Sequence, residues 1–119
     1  MAYSGDMQLL LDRTKRFVKE RDWEQFHNPK DMAISLSLEA AEVLEHFQWK
    51  NTDEVAAHLE ANKEKVANEL ADVLYWVLLM SDRLEIDLVE SFNQKMDTNE
   101  IKYPIAKAKG KHTKYSELG

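Results

Sequence analysis

Apolar side chains return every three to four residues along most of the chain, the period of helices that bury one face. Leu9, Leu10, Phe17 and Val18 predict a first helix over about 6–20. Arg21 to Pro29 breaks the pattern with two aromatics and an Asn-Pro pair, and reads as a loop. A second helix is expected over about 30–47, with Leu36, Ala40, Val43 and Phe47 in one row and Ile34, Leu38 and Ala41 in the next. After a connection at Trp49–Thr52, Thr52 or Asp53 can cap a short helix over about 53–60. Asn62 then opens the longest helix, about 62–85, carrying the row Val66, Leu70, Val73, Val77, Met80 and Leu84. A neighbouring row, Ala67, Ala71, Leu74 and Leu78, widens its apolar surface beyond what one partner helix covers. A last helix is expected over about 87–97, followed from about residue 104 by a lysine-rich tail that reads as extended or mobile. The pattern describes an all-α chain of four-helix-bundle type, a single domain over 1–119 without repeat or linker.

Composition sharpens this picture in two ways. Only 3 glycines and 2 prolines punctuate the 119 residues, which favours long helices over a turn-rich β fold. The absence of cysteine excludes disulfides and thiolate metal sites and fits a reducing cytoplasm. The start, Met1 to Gln8, lacks the basic-then-apolar layout of a signal peptide. The longest apolar run, Val73–Met80, is far below the ~20 residues needed to span a bilayer. A cytoplasmic protein without membrane partners is expected.

Charge is unevenly spread. From Glu100 onward five lysines (102, 107, 109, 111, 114) face two glutamates, so the net −6 of the whole leaves −9 on the first 99 residues. Such an acidic body disfavours binding to a nucleic-acid polymer. The basic tail suits a local anion such as a phosphate.

The acids themselves form a pattern. On the second helix Ser35, Glu39, Glu42 and His46 share a row with Glu45 beside it, and on the longest helix Glu69, Asp72 and Trp76 share another. A single Glu-x-x-Glu is usually a solvated face. Here the residues four positions on are Val43, His46, Val73 and Trp76, so the Lys or Arg that commonly supports a surface acid is missing. Like charges between apolar rows repel unless a cation neutralises them. If the two rows face each other, four carboxylates converge on a site suited to Mg²⁺, with Mn²⁺ as a substitute, and to phosphate chemistry. Zinc is disfavoured because no His/Cys set accompanies the acids, and a di-iron bundle would need Glu-x-x-His pairs that neither helix has.

Glu39-x-x-Glu42, a gap of 26 residues and Glu69-x-x-Asp72 together resemble the signature of the all-α nucleoside triphosphate pyrophosphohydrolases, the MazG-like superfamily. Three further blocks are similar to its dCTP pyrophosphatase branch: Arg21–His27, Phe47-Gln48-Trp49, and Lys95-Met96-Asp97 with Asn99 and Tyr103-Pro104. The resemblance implies a MazG-like fold and Mg²⁺-dependent hydrolysis of a (deoxy)nucleoside triphosphate to the monophosphate and diphosphate. It implies dCTP or a related deoxynucleotide as the favoured substrate and house-cleaning of the nucleotide pool as the role. It makes Glu39, Glu42, Glu69 and Asp72 metal ligands, with Glu39, Glu42 or the neighbouring Glu45 orienting the attacking water.

The remaining candidates follow from the same resemblance. Trp23 and Trp49, two tryptophans in polar loops, would form the base pocket with His27. Lys95, Asn99 and Tyr103, spaced i, i+4, i+8, would contact phosphate and sugar. The chain departs from the branch at Thr14, where some members carry histidine, and at Trp76, where a tyrosine can occur; both positions are expected near the base or sugar. The surplus apolar surface predicts a homodimer or a homotetramer built as a dimer of dimers. The competing reading is a helical oligomerisation or adaptor module whose acidic stripe binds a basic partner.

Overall fold

The computed structural model describes residues 5–119. Five α-helices follow one another: α1 (Gly5–Glu20), α2 (Pro29–Glu45), α3 (Thr52–Arg83), α4 (Leu88–Lys102) and the single turn α5 (Ile105–Ala108). Short 3-10 turns occupy Glu24–Phe26 and Tyr115–Glu117, and no strand occurs among the described residues. The chain divides into two compact units, one ending at Glu85 and the other Ile86–Gly119.

In the first unit, α1 and α2 both pack on α3. Val18 from α1, Met32 from α2 and Leu79 from α3 meet in one buried cluster, joined by the partly buried Tyr75, Trp76 and Met80. Leu11, Val66 and Leu78 are buried as well. Local chemistry sets the helix starts. The sequence places Asn28-Pro29 in a loop, whereas the structure uses them to begin α2. Asn28 Oδ1 accepts from the Asp31 backbone N–H at 2.9 Å, and Pro29, which has no N–H to satisfy, occupies the first helical position. Helix α3 begins with a reciprocal box: Glu54 N–H donates to Asn51 Oδ1 at 2.9 Å, and Asn51 N–H donates to Glu54 Oε1 at 3.3 Å.

The helices expected at 53–60 and 62–85 are both present and meet at a kink within α3: Asn62, with φ −129° and ψ 23°, leaves the helical region between them. One boundary differs from the sequence expectation. Helix α4 runs to Lys102 rather than stopping near 97. The apolar period is lost there, with Ile101 80% exposed, but nothing in the backbone breaks the helix until Tyr103 and Pro104. The tail then contains the turn α5 and a 3-10 turn, with Tyr103 edge-on to Tyr115 at 6.0 Å.

The turn after α2 is tight. Phe47 and Gln48 N–H both donate to the Leu44 carbonyl at 2.9 Å, and Trp49 takes the left-handed conformation with φ 66°. This geometry lifts the Trp49 side chain to 91% exposure. Much of the apolar pattern of α2 and α3 also remains exposed, notably at Leu38 and Leu70.

Candidate metal centre

Packing α2 against α3 turns the two acid rows toward each other. Glu39, Glu42, Glu69 and Asp72 each bring a carboxylate oxygen to within 4.8 Å of the other three. Each pair shares a helical face because its members are three residues apart. Glu39 and Glu69 are half-buried, while Glu42 and Asp72 are exposed, so the cluster forms an open rim rather than an enclosed cage.

The electrostatics of the cluster follow from that crowding. Glu39 is pushed up to about 7, first by burial, then by a hydrogen bond with Glu42, then by the charges of Glu42, Asp72 and Glu69. Glu69 is raised too, first by its hydrogen bond with Glu42 and then by burial, with the charge of His46 opposing the shift. A hydrogen bond between two carboxyl groups requires a proton on one of them. Without a cation Glu39 therefore holds a proton up to about pH 7. Glu39 Oε2 is also buried without a hydrogen-bond partner. Such an atom is costly unless something positive meets it. An all-oxygen donor set around an orphaned carboxylate oxygen fits a hard divalent cation.

Beside the acids opens a cavity of about 470 Å³. Glu39 and Asp72 line it together with the rings of Phe17, Trp23, Tyr75 and Trp76. Those rings brace one another edge to face, Phe17–Trp23 at 5.6 Å, Phe17–Tyr75 at 6.1 Å and Tyr75–Trp76 at 5.2 Å. Burial raises Tyr75 above its ordinary value, so its hydroxyl keeps its proton at neutral pH. The arrangement offers a carboxylate edge for a cation and an aromatic wall for a flat ring, a combination typical of small-molecule sites.

The other sequence candidates lie as follows. Thr14 lines the same cavity. His27 packs edge-on to Trp76 at 5.3 Å but lines a smaller cavity of about 160 Å³ with Lys15 and Asp82. Glu45 lines a third cavity, about 430 Å³, with Glu42, Glu69 and His46. Trp49 lies outside the lining of the aromatic cavity. Lys95 and Asn99 stand on α4 and Tyr103 caps it, all in the second unit. Sequence reading assigned Leu10, Phe17 and Tyr75 no part in a site. Leu10 and Phe17 carry the ordinary signal of a core-facing row, and only the position of Tyr75, three residues after Asp72, links it to the acids.

Helices with converging Glu-x-x-Glu and Glu-x-x-Asp rows define an all-α protein with a four-carboxylate cluster, and comparison with known proteins narrows that class. The MazG-like family model matches residues 34–118, and the chain belongs to that family. The chain is 39% identical over 104 residues to mouse dCTP pyrophosphatase 1 and 38% identical over 104 residues to the human protein of that name. These matches cover 86% of the chain, which spans 61% of the length of either relative. A crystal structure of a pyrophosphatase from Archaeoglobus fulgidus DSM 4304 superposes with a TM-score of 0.80 at 42% identity, covering 87% of this chain and 97% of that one.

Proposed function

We propose that the chain is a Mg²⁺-dependent nucleoside triphosphate pyrophosphohydrolase that favours dCTP or a related deoxynucleotide. The observation that carries this reading is the convergence of four carboxylates, one with a buried unpartnered oxygen, two of which line an aromatic cavity. The family resemblance supplies the reaction: water would attack the α-phosphorus, the Pα–O–Pβ bond would break, and nucleoside monophosphate and diphosphate would both be released.

Glu39, Glu42, Glu69 and Asp72 would hold the cation, Mg²⁺ by preference and Mn²⁺ in its place. When bound, the cation neutralises triphosphate charge and acidifies water. The protein's own groups do the rest. Glu39, Glu42 or the exposed Glu45 accepts the proton that the attacking water gives up. Trp23 and Trp76 present ring faces to the base, a contact worth roughly 1–3 kcal/mol per base in nucleic-acid binders. Phe17 and Tyr75 hold those rings in place. His27, edge-on to Trp76, steadies that wall. Lys95, Asn99 and Tyr103 are assigned to phosphate and sugar through the family's motif, and Trp49 to the base.

Exposed Trp49 and the uncovered apolar side chains of α2 and α3 support an assembly, a homodimer or a dimer of dimers, in which one copy completes another's site. No helix among the described residues is long and apolar enough to cross a membrane. The proposed setting is the cytoplasm, and the role is sanitising the nucleotide pool.

The test is a screen of natural and modified nucleoside triphosphates for diphosphate release with Mg²⁺. Turnover of deoxynucleotides is expected, and full activity in Glu39→Gln or Asp72→Asn would sink the site assignment. Absence of turnover with every nucleotide would favour the acidic row as a surface for a basic partner.

A further inference from the structure

A line of polar side chains runs from the kink in α3 to the acid cluster, and none of the chemistry above uses it. It begins at Asn62. The Asn62 Nδ2 amide donates to the His58 carbonyl oxygen at 3.1 Å and lies 3.3 Å from His58 Nδ1. A carbonyl oxygen only accepts, so the first contact fixes the nitrogen of the amide on this side. The second amide hydrogen then points at His58 Nδ1. That ring nitrogen must accept, which leaves the His58 hydrogen on Nε2.

His58 Nε2 lies 2.8 Å from His46 Nδ1. Two facing ring nitrogens share one hydrogen, so His58 donates and His46 Nδ1 accepts. The His46 hydrogen is thereby placed on Nε2, which faces Glu69 Oε1 at 3.9 Å. The reverse polarity would set an Nδ1–H of His58 against the amide hydrogens of Asn62. Burial holds His58 below its ordinary range, as do the positive charges around it led by Lys50, in keeping with a neutral ring.

We infer that His46, set in one tautomer by His58 and Asn62, is a positioning residue that presents an N–H to Glu69 and holds that carboxylate in the cluster. The inference rests on the cation-site reading of the four acids. Its physical need is plain. The charges of Glu42 and Asp72 disfavour an ionised Glu69, and a donor on its other side offsets that cost and fixes its orientation. The His46 Nε2–Glu69 Oε1 separation is 3.9 Å, and a small rotation of Glu69 brings it to hydrogen-bond length. His46 is only 14% exposed and Glu69 25%, so water competes weakly for either. Partners of this kind behind a ligating carboxylate orient it.

Two measurements on the full chain test the inference. Long-range ¹H–¹⁵N spectra of histidine-labelled protein without metal should show both His46 and His58 protonated on Nε2. A His46 hydrogen on Nδ1 would overturn the inference whatever the enzyme does. Titration with Mn²⁺ alone, in the absence of nucleotide, should show His46→Ala binding about 10- to 100-fold more weakly at unchanged fold. His46→Gln, whose amide can restore a donor near the Nε2 position, should recover most of that loss, and Asn62→Asp should weaken binding by reversing the polarity of the line. Wild-type Mn²⁺ affinity in a folded His46→Ala protein would overturn the inference. An absence of Mn²⁺ binding to the wild type would instead refute the cation site, while the tautomer spectra would still report on the line itself.

Discussion

Glu39 has one oxygen, Oε2, buried without a partner, and three other acids within reach of its carboxyl group. With Glu39 raised from 4.5 to about 7, the folded protein keeps a proton that the unfolded chain releases at lower pH. The stability tied to this group is therefore present below about pH 4.5 and is lost as pH rises through about 7. Metal-free denaturant titrations should show lower stability at pH 8 than at pH 5, a fall that Glu39→Gln removes and that saturating Mg²⁺ reverses. Because cation binding displaces that proton, Mg²⁺ affinity should drop by up to about tenfold per pH unit below 7. A flat affinity profile between pH 5.5 and 7 would contradict the coupling. Trp76 gives a second prediction at this scale. Its ring lines the aromatic cavity and also packs on the core cluster. Trp76→Phe keeps a packed ring but reduces the stacking face, so it should raise the KM for a deoxynucleotide several-fold with a smaller effect on kcat. An unchanged KM would take the base away from this wall.

Helix α3 does two jobs on either side of its kink. Residues 63–83 carry Glu69, Asp72 and Trp76, while residues 52–61 bring His58 to the end of α2. The capping box at Asn51 and Glu54 anchors the first of these segments. Asn51→Ala should cost about 1 kcal/mol of stability by loss of the cap, measured by denaturant unfolding. The effect should fall on the His58 segment before the acids, and hydrogen exchange should show faster opening at 52–61 than at 66–80. Equal acceleration along all of α3 would mean that the two segments open as one. The sequence marked this break at Asn62, whose side chain bonds to backbone, and the two helical segments expected on either side of it meet there.

At the level of the whole molecule, apolar surface exceeds what the fold covers. Leu38 is 62% exposed and Leu70 55%, on the helices that carry the acids. Exposed apolar side chains on both helices are what the proposed assembly would cover. Light scattering after size exclusion should report a dimer or tetramer, and Leu38→Glu should lower the mass toward one chain of 13.9 kDa. A wild-type mass of a single chain at micromolar concentration would remove the assembly and, with it, the contribution of Trp49 from a neighbouring copy.

Sequence by itself determined the all-α class, the starts and faces of the long helices, and the two pairs of acids. Helical period and capping are local, and residues three or four apart share a face wherever the helix goes. It also carried the family motif, and the match to the MazG-like family spans all four acids. Tertiary structure decided what the faces meet. Only the packing of α2 on α3 brings Glu39 and Glu42 within 4.8 Å of Glu69 and Asp72. Only the approach of α1 adds Phe17 to the wall made by Tyr75 and Trp76, and only the turn at 46–49 points Trp49 to solvent. The pairing of His46 with His58, twelve residues apart and across a turn, belongs to the same class. Such contacts depend on interhelical geometry, which no local spacing encodes.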